Sequence, residues 1–438
     1  MKLAVIGTGH VGLITGVALA SLGHDVVGMD VSEDKVAMLS RGETPFHEPD
    51  LPQLLSQGLA SGHLSFTTSV AEAVEGAQAV FICVGRPPVG QGDRSLTAVE
   101  DAAREVARSA SASDGVVLVV KSTVPPGTTG RIAKVVAQER PELSCSAVSS
   151  PEFLREGHAV QDTLDPDRLV VGADDVHGAQ VMNEVYAPLL DRGVMLFRTD
   201  PRTAELSKLA SNAFLATKVS FANALARVAE LADADVDGVT AIMGADPRIG
   251  PAFLGAGMGY GGYCLPKDVV TLEKVADRLG YDFGILRETA RINEEAVDAV
   301  VRKVEEAVWN LEGKTIALLG LAFKQGTDDV RGAPALALAH RLLDEGATVT
   351  GFDPMAGEAA GRELPVLQVA TDAYAAAEGA HCVVVCTEWP EFLNLDPERL
   401  KAVMAQPAIV DGRNLLDTAA FSTAGFHVWP TGRATEGA

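Results

Sequence analysis

Aromatic side chains, cysteine and positive charge are all scarce in this sequence. Of 438 residues only 5% are aromatic, whereas Gly occurs 43 times and hydrophobic residues make up 47%. Many small residues and few rings suit helices packed closely on parallel sheets. Lys and Arg number 36 against 59 Asp and Glu, a formal net charge of -23. A nucleic acid partner needs a basic surface, so that class is excluded. An acidic surface otherwise serves solubility.

The five cysteines, Cys83, Cys145, Cys264, Cys382 and Cys386, are odd in number, and no two form a C-x-x-C pair. That speaks for a reducing compartment and against a disulfide framework. Cys83, Cys382 and Cys386 fall in apolar runs, where cysteine acts as a small buried hydrophobe. Long hydrophobic runs are missing too. The N-terminal "MKLAVIGTGHVGLITGVALA" imitates a signal peptide, but Gly7, Gly9, His10 and Gly12 interrupt it. No later stretch reaches membrane-spanning length without Gly, Pro or charge. These absences predict a cytoplasmic protein with no membrane partner.

What is present is a repeated plan. "KLAVIG" (2–7), "DVVGMD" (25–30), "AQAVFICVG" (77–85) and "GVVLVVKST" (115–123) read as buried strands with helices between them. Such alternation predicts a parallel sheet covered on both faces. "KTIALLG" (314–320), "ATVTGFDP" (347–354) and "AHCVVVCTE" (380–388) repeat it, with Asp353 corresponding to Asp30. Between the two, 201–234 has helical composition throughout, with Asp200 as N-cap and Pro201 at the first helical position. A helix of roughly 50 Å is too long for one small domain, so it reads as a spine that also pairs with another subunit. The expected architecture is α/β, with two Rossmann-like parallel-sheet domains joined by a long central helix. The expected boundaries are 1–200, 201–300 and 311–438, and the tail 431–438 is expected to be disordered.

"GTGHVG" (7–12) fits G-x-G-x-x-G, follows a strand, opens a helix, and is followed by Asp30 at the end of the second strand. Gly7, Gly9 and Gly12 allow backbone to approach a pyrophosphate at a helix N-terminus. Asp30 accepts from a ribose 2′-OH and repels a 2′-phosphate, which favours NAD over NADP. A glycine-rich turn without ligand is the plainer alternative. The second unit lacks the signature. Its first loop carries Lys324, Asp328, Asp329 and Arg331, and reads equally as a site for another phosphate-bearing ligand or as a polar surface loop.

Cys264 lies in "GYGGYCLPKD" (259–268). Pro266 suits the first turn of a following helix, which leaves Cys264 just outside its N-terminus. A helix N-terminus and a neighbouring lysine favour thiolate, as a covalent nucleophile requires. The alternative is a buried filler, against which the surrounding glycines speak. Lys208 and Asn212 lie one turn apart on the spine, on a stripe continued by Leu215, Ala216 and Val219. Alone, that pattern favours a snorkelling lysine over a polar site. "SPEFLREG" (150–157) puts Glu152, Arg155 and Glu156 at a strand end, and "KSTVPPGT" (121–128) puts Thr123 there. That edge is where open α/β sheets bind ligands.

Together these segments, with "CVGRPP", "ELSKLASNAFLATKVSFAN", "DPRIGPAFLGAGMGYGGYCLPKD" and "GLAFKQGTDDVRGAP", resemble the UDP-glucose/GDP-mannose dehydrogenase family from end to end. Within it, the segment around Cys264 looks most like the UDP-glucose 6-dehydrogenases, with GDP-mannose 6-dehydrogenase the near alternative. The resemblance implies an NAD-dependent, four-electron oxidation of a sugar C6 alcohol to a carboxylate, with no metal. It implies Cys264 as nucleophile, Lys208 and Asn212 at the oxyanion, Asp268 assisting water or Lys208, and Glu156 and Thr123 at the catalytic and cofactor edge. It also implies NAD contacts at Asp30, Lys35, Lys267 and Arg331. The UDP-sugar would meet Glu152, Phe153, Leu154, Arg155, Phe253, Leu254, Gly255, Ala256, Gly257, Gly261 and Lys324. Arg248 resembles an arginine that reaches a neighbour's substrate, which implies a homodimer. Arg86 stands where the family usually has Thr, and the cofactor contact there changes. A nucleotide-sensing protein without chemistry is the reading of another class; intact Cys264, Lys208, Asn212 and Asp268 speak against it.

Overall fold

The computed structural model describes residues 1–85, 88–89, 93–111 and 115–433. The chain divides into two compact units, Met1–Ser211 and Asn212–Ala438.

The first unit carries an eight-stranded sheet. Its strands are β1 (Lys2–Ile6), β2 (Asp25–Met29), β3 (Leu64–Thr67), β4 (Ala79–Ile82), β7 (Val116–Val120), β8 (Cys145–Ser149), β9 (Leu169–Ala173) and β10 (Leu196–Thr199). A short antiparallel ribbon, β5 (Pro88–Val89) with β6 (Asp93–Arg94), stands apart from it. The order is β10-β9-β8-β7-β4-β1-β2-β3. Within it β3-β2-β1-β4-β7-β8 is the doubly wound order, with the strand order reversing at β1 and β4. Pairing is parallel except between β8 and β9. Central β4 and β7 are buried along their whole length, as continuous apolar runs covered on both faces should be.

Register decides what meets at the sheet's C-terminal edge. Ile6 pairs with Met29 and with Ile82, and Ile82 and Ser149 both pair with Val120. The next residues along, Gly7, Asp30, Cys83, Lys121 and Ser150, therefore line up along one edge.

The second unit repeats the plan. Its strands are β11 (Thr315–Leu319), β12 (Thr348–Phe352), β13 (Gln368–Val369), β14 (Cys382–Val385), β15 (Ala408–Asp411) and β16 (His427–Pro430), in the order β13-β12-β11-β14-β15-β16. Every pairing is parallel. Cys83, Cys382 and Cys386 are buried, and burial pushes the Cys83 and Cys382 thiols up to about 12.

The spine helix runs Pro201–Leu231, 31 residues and about 46 Å long. Asp200 caps it, accepting from the Thr203 N–H at 3.0 Å and the Thr203 hydroxyl at 2.6 Å. The boundary between the two units falls inside this helix. The end of the chain departs from the sequence expectation at 431–433. Gly432 N–H donates to Glu230, Arg433 pairs with Asp235 and Asp237, and the Thr431 backbone exchanges hydrogen bonds with the Asn414 amide. Residues 434–438 lie outside the described residues.

Candidate active site

In the first unit the turn after β1 is shaped by glycine. Gly7 has φ +92°, and a Cβ on Gly12 would lie 1.8 Å from Gly7 O. The following helix, His10–Ser21, has Gly9 as N-cap with no side-chain cap and no acid in its first turn. Its N–H groups are left for an external anion. Asp30 Oδ2 accepts from Thr8 N and Oγ1, both at 3.0 Å, and from Lys35 Nζ at 2.8 Å. Burial pushes the Asp30 carboxyl up, but Lys35, Ser32 and Thr8 outweigh it and hold the group below the ordinary Asp value. Asp30 thus stays a carboxylate, able to accept from a diol.

Further along this edge, Lys208 Nζ lies 3.1 Å from Glu152 Oε1, and both side chains are buried. Lys208 does not snorkel. Burial pushes the Glu152 carboxyl up, but Lys208, the Leu154 N–H and Lys121 more than offset it, leaving it below the ordinary Glu value. Phe153 presents its ring to Lys208 at 5.4 Å and to Arg168 at 3.9 Å. Thr123 and Glu156 are half-buried, whereas Arg155 is exposed and forked onto Asp162 at 2.9 and 2.7 Å.

In the second unit Asn212 Nδ2 donates to Asp268 Oδ2 at 2.6 Å, and Lys267 Nζ donates to Asp268 Oδ1. Asp268 is fully buried. The Cys264 helix runs Cys264–Arg278 with Tyr263 as N-cap. Cys264 is therefore its first residue rather than a residue outside it, and Pro266 is its third. The thiol is half-buried. Tyr263 is flanked by two cations, Lys267 Nζ at 5.6 Å and the Arg331 guanidinium at 4.8 Å from its ring centroid.

The glycines before Cys264 are not bare space. A Cβ on Gly261 would lie 2.4 Å from Gly332 O, and Gly262, at φ +78°, faces Phe323 at 2.8 Å. Gly261 has no room for a side chain against the Gly332 backbone, and Gly262 combines a positive φ with close packing on the Phe323 ring. The loop is pinned further up. Asn223 Oδ1 accepts from Gly257 N at 2.7 Å. Asn293 Oδ1 accepts from Tyr260 N at 2.7 Å, while its Nδ2 donates to Tyr260 O at 3.0 Å. Phe253 sits at φ 63°, a region costing a non-glycine residue about 1–2 kcal/mol. Of its neighbours, Leu254, Ala256 and Gly257 are buried and Gly255 is exposed.

Compared with known proteins, residues 1–190, 202–295 and 317–418 match three successive parts of one family. These are the NAD binding domain, the central domain and the UDP binding domain of the UDP-glucose/GDP-mannose dehydrogenases. The chain belongs to this family. It is 43% identical over 438 residues to the UDP-glucose 6-dehydrogenase of Rhizobium meliloti, covering 99% of this chain and 100% of the relative. It is 38% identical over 435 residues to UDP-glucose 6-dehydrogenase YwqF of Bacillus subtilis, covering 99% and 98%. Among solved structures, a UDP-glucose dehydrogenase from Pyrobaculum islandicum superposes with TM-score 0.92 at 39% identity, covering 99% of this chain and 98% of the other.

As a member of this family the chain is an NAD-dependent oxidoreductase. The uncapped helix N-terminus, the glycine turn and ionised Asp30 fit that cofactor. The second unit uses its corresponding acid differently. Asp353 Oδ2 takes the Leu321 and Ala322 N–H groups and the Trp389 indole, while Oδ1 takes Met355 and Ala356. That carboxylate is spent on its own loop. Arg331 forks onto Asp329, Lys324 lies 5.6 Å from the Phe323 ring, and exposed Arg248 forks onto Asp246. Arg86 lies outside the described residues. No described helix is long and apolar enough to cross a membrane.

Sequence reading missed three buried groups in the first unit. Glu205 accepts from Gly127 N, Thr129 N and Thr129 Oγ1 at 2.5–2.7 Å. Glu48 accepts from Gly157 N and Ala159 N at 2.8 and 2.6 Å. Neither follows a spacing rule. Lys121 is the third, and it did carry a signal: a lysine directly after five buried apolar residues of β7.

Proposed function

We propose that the protein is a UDP-glucose 6-dehydrogenase, oxidising UDP-glucose to UDP-glucuronate by four electrons through Cys264. The observation that carries this is on the spine helix. It buries Lys208 and Asn212 one turn apart, each with its own acidic partner, Glu152 and Asp268. Two donors on one buried helical face are suited to an oxyanion. The likeness to UDP-glucose enzymes over the full chain supports the substrate.

NAD, when bound, accepts one hydride in each of two oxidations. Gly7, Gly9, Gly12, Asp30 and Lys35, with Thr123 and Glu156 at the same sheet edge, are the residues suited to hold it; the family resemblance adds Lys267 and Arg331 as NAD contacts. The first oxidation leaves an aldehyde at C6. The Cys264 sulfur adds to that carbon, forming a C–S bond, and the thiol proton ends on the new hydroxyl of the thiohemiacetal. Lys208 and Asn212 donate to the oxygen while it carries charge. The second oxidation removes the C6 hydrogen as hydride and the hydroxyl proton, giving a thioester. Water then adds, with Asp268 assisting the loss of its proton. The C–S bond breaks, the sulfur recovers a proton, and the carboxylate leaves.

The strained Phe253 and the pinned backbone through Gly257 favour that segment, with Gly261 and Lys324, for the UDP-sugar; the family resemblance adds Glu152, Phe153, Leu154 and Arg155 as substrate residues. We further infer three parts, 1–200, 201–300 and 311–438, for NAD, for dimerisation and catalysis, and for the UDP-sugar. Phe214, Phe221 and Val228, seven residues apart on the spine, are exposed. A second copy of this cytoplasmic enzyme would cover that apolar stripe and bring its Arg248 to the neighbouring site. Turnover compared on UDP-glucose, UDP-galactose, UDP-N-acetylmannosamine and GDP-mannose tests the substrate. Strong preference for UDP-glucose is expected; faster turnover of GDP-mannose overturns it.

A further inference from the structure

Lys121 follows β7 directly and is 7% exposed. Its backbone N–H continues the ladder, donating to Ile82 O at 3.0 Å. A lysine at a strand end ordinarily sends its ammonium to water. This one does not. Nζ donates to Tyr186 OH at 3.3 Å and lies 5.8 Å from that ring's centroid. Tyr186 OH in turn shares a 2.9 Å hydrogen bond with Ser150 Oγ. Tyr186 and Ser150 are themselves buried.

An ammonium carries three donors. Here one neutral hydroxyl takes one of them, and burying a cation on such terms is costly. What offsets the cost lies on the same sheet edge. Glu152 is the carboxylate of this buried space, and Lys121 acts on it electrostatically along with Lys208. The groups around Glu152 come from several elements: Lys208 from the spine helix, Lys121 from the end of β7 and Cys83 from the end of β4. Tyr186, from the helix Val176–Leu190, stands behind Lys121. Glu152 is thus paired with Lys208, while Lys121, buried at the neighbouring strand end and hydrogen-bonded through Tyr186 to Ser150, is a second cation in the same field. A lone buried Lys–Glu pair can relax to the neutral acid and amine by moving one proton. A second cation beside the carboxylate opposes that transfer.

We propose that Lys121 is a positioning residue for the dehydrogenase reaction, a second buried cation that acts through Glu152 to fix Lys208 in its working place and charge. This rests on the reading of Lys208 as the group that meets the oxyanion. Lys121 is not assigned a contact with the substrate.

The test uses the full-length enzyme with Lys121→Met, Lys121→Gln and Lys121→Arg. It measures kcat and KM for UDP-glucose across pH, together with the melting temperature. Loss of the cation is expected to lower kcat by about 10–100-fold, as for other groups that support a reacting group from behind. KM should change far less. The acid limb of kcat should move to higher pH, because Glu152 protonates more readily without its second cation. Lys121→Arg should keep the native acid limb. Should the methionine variant not fold, Lys121→Gln, which keeps a donor for Tyr186 but no charge, is read in the same way. An unmoved acid limb in the neutral variants overturns the proposal. So does a loss that is equal at every pH and equal in Lys121→Arg. Lys208→Met separates the two levels. Retained turnover there sinks the oxyanion reading itself, while an inert Lys208→Met with indifferent Lys121 variants sinks the present inference alone.

Discussion

Asn212 and Asp268 meet through a 2.6 Å hydrogen bond, and the second oxygen of Asp268 takes Lys267. Asp268 is wholly buried and Lys267 nearly so. Removing one partner of such a pair strands the other's charge. Asp268→Ala is therefore expected to cost about 3–5 kcal/mol of stability, and Asn212→Ala about 1–3 kcal/mol. Urea unfolding of both variants checks the order. Equal, sub-kilocalorie losses would contradict the arrangement.

Glu152 gives a prediction with a sign. Its native carboxyl lies below the ordinary value despite complete burial, because Lys208 and the Leu154 N–H outweigh desolvation. Its contribution to stability is present above the unfolded value of about 4.3. That contribution is lost as pH falls through the lower native value. Glu152→Gln should be less stable at neutral pH and should lose less on acidification than the native chain. Thermal melts over that acid range decide it, and parallel curves would refute the assignment.

Glu205 holds the start of the helix Thr128–Glu139 from the spine, through two backbone N–H groups and one hydroxyl. Glu205→Ala leaves these donors without an acceptor and should cost about 1–3 kcal/mol. Glu205→Gln retains a carbonyl oxygen and should cost less. Amide exchange at 127–129 should rise in the alanine variant; unchanged protection there would count against the cap.

Asp30 is ionised and directly follows β2, where a ribose diol would be read. Asp30→Ser should lower kcat/KM for NAD by about tenfold or more and narrow the preference over NADP. The ratio of the two kcat/KM values is the measurement. A ratio unchanged from the native enzyme would remove Asp30 from cofactor choice.

Much of this was legible in the sequence because it is local. Gly7, Gly9 and Gly12 announce their turn by spacing, and the apolar runs of β4, β7 and β14 announce a covered parallel sheet. The long helix declares itself at Asp200 and Pro201. Partnerships are not local. The sequence offers Lys208 as a snorkelling lysine, because the acid that keeps it buried, Glu152, is far away in the chain and on another element. The glycines at 261 and 262 read as open space around a thiol, yet Gly261 packs closely on the Gly332 backbone and Gly262 on the Phe323 ring. Glu48 and Glu205 bond mostly to backbone, and a pattern of side-chain types carries no trace of that.

Cys264 carries the claim of a four-electron oxidation. The most direct measurement is NADH formed per UDP-glucose consumed, taken with Cys264→Ala beside the native enzyme and with intact mass spectrometry of quenched native turnovers. The account predicts two NADH per sugar in the native enzyme, a hexuronyl adduct on Cys264, and no completed oxidation in the alanine variant. Two NADH per sugar at native rate from Cys264→Ala would contradict it.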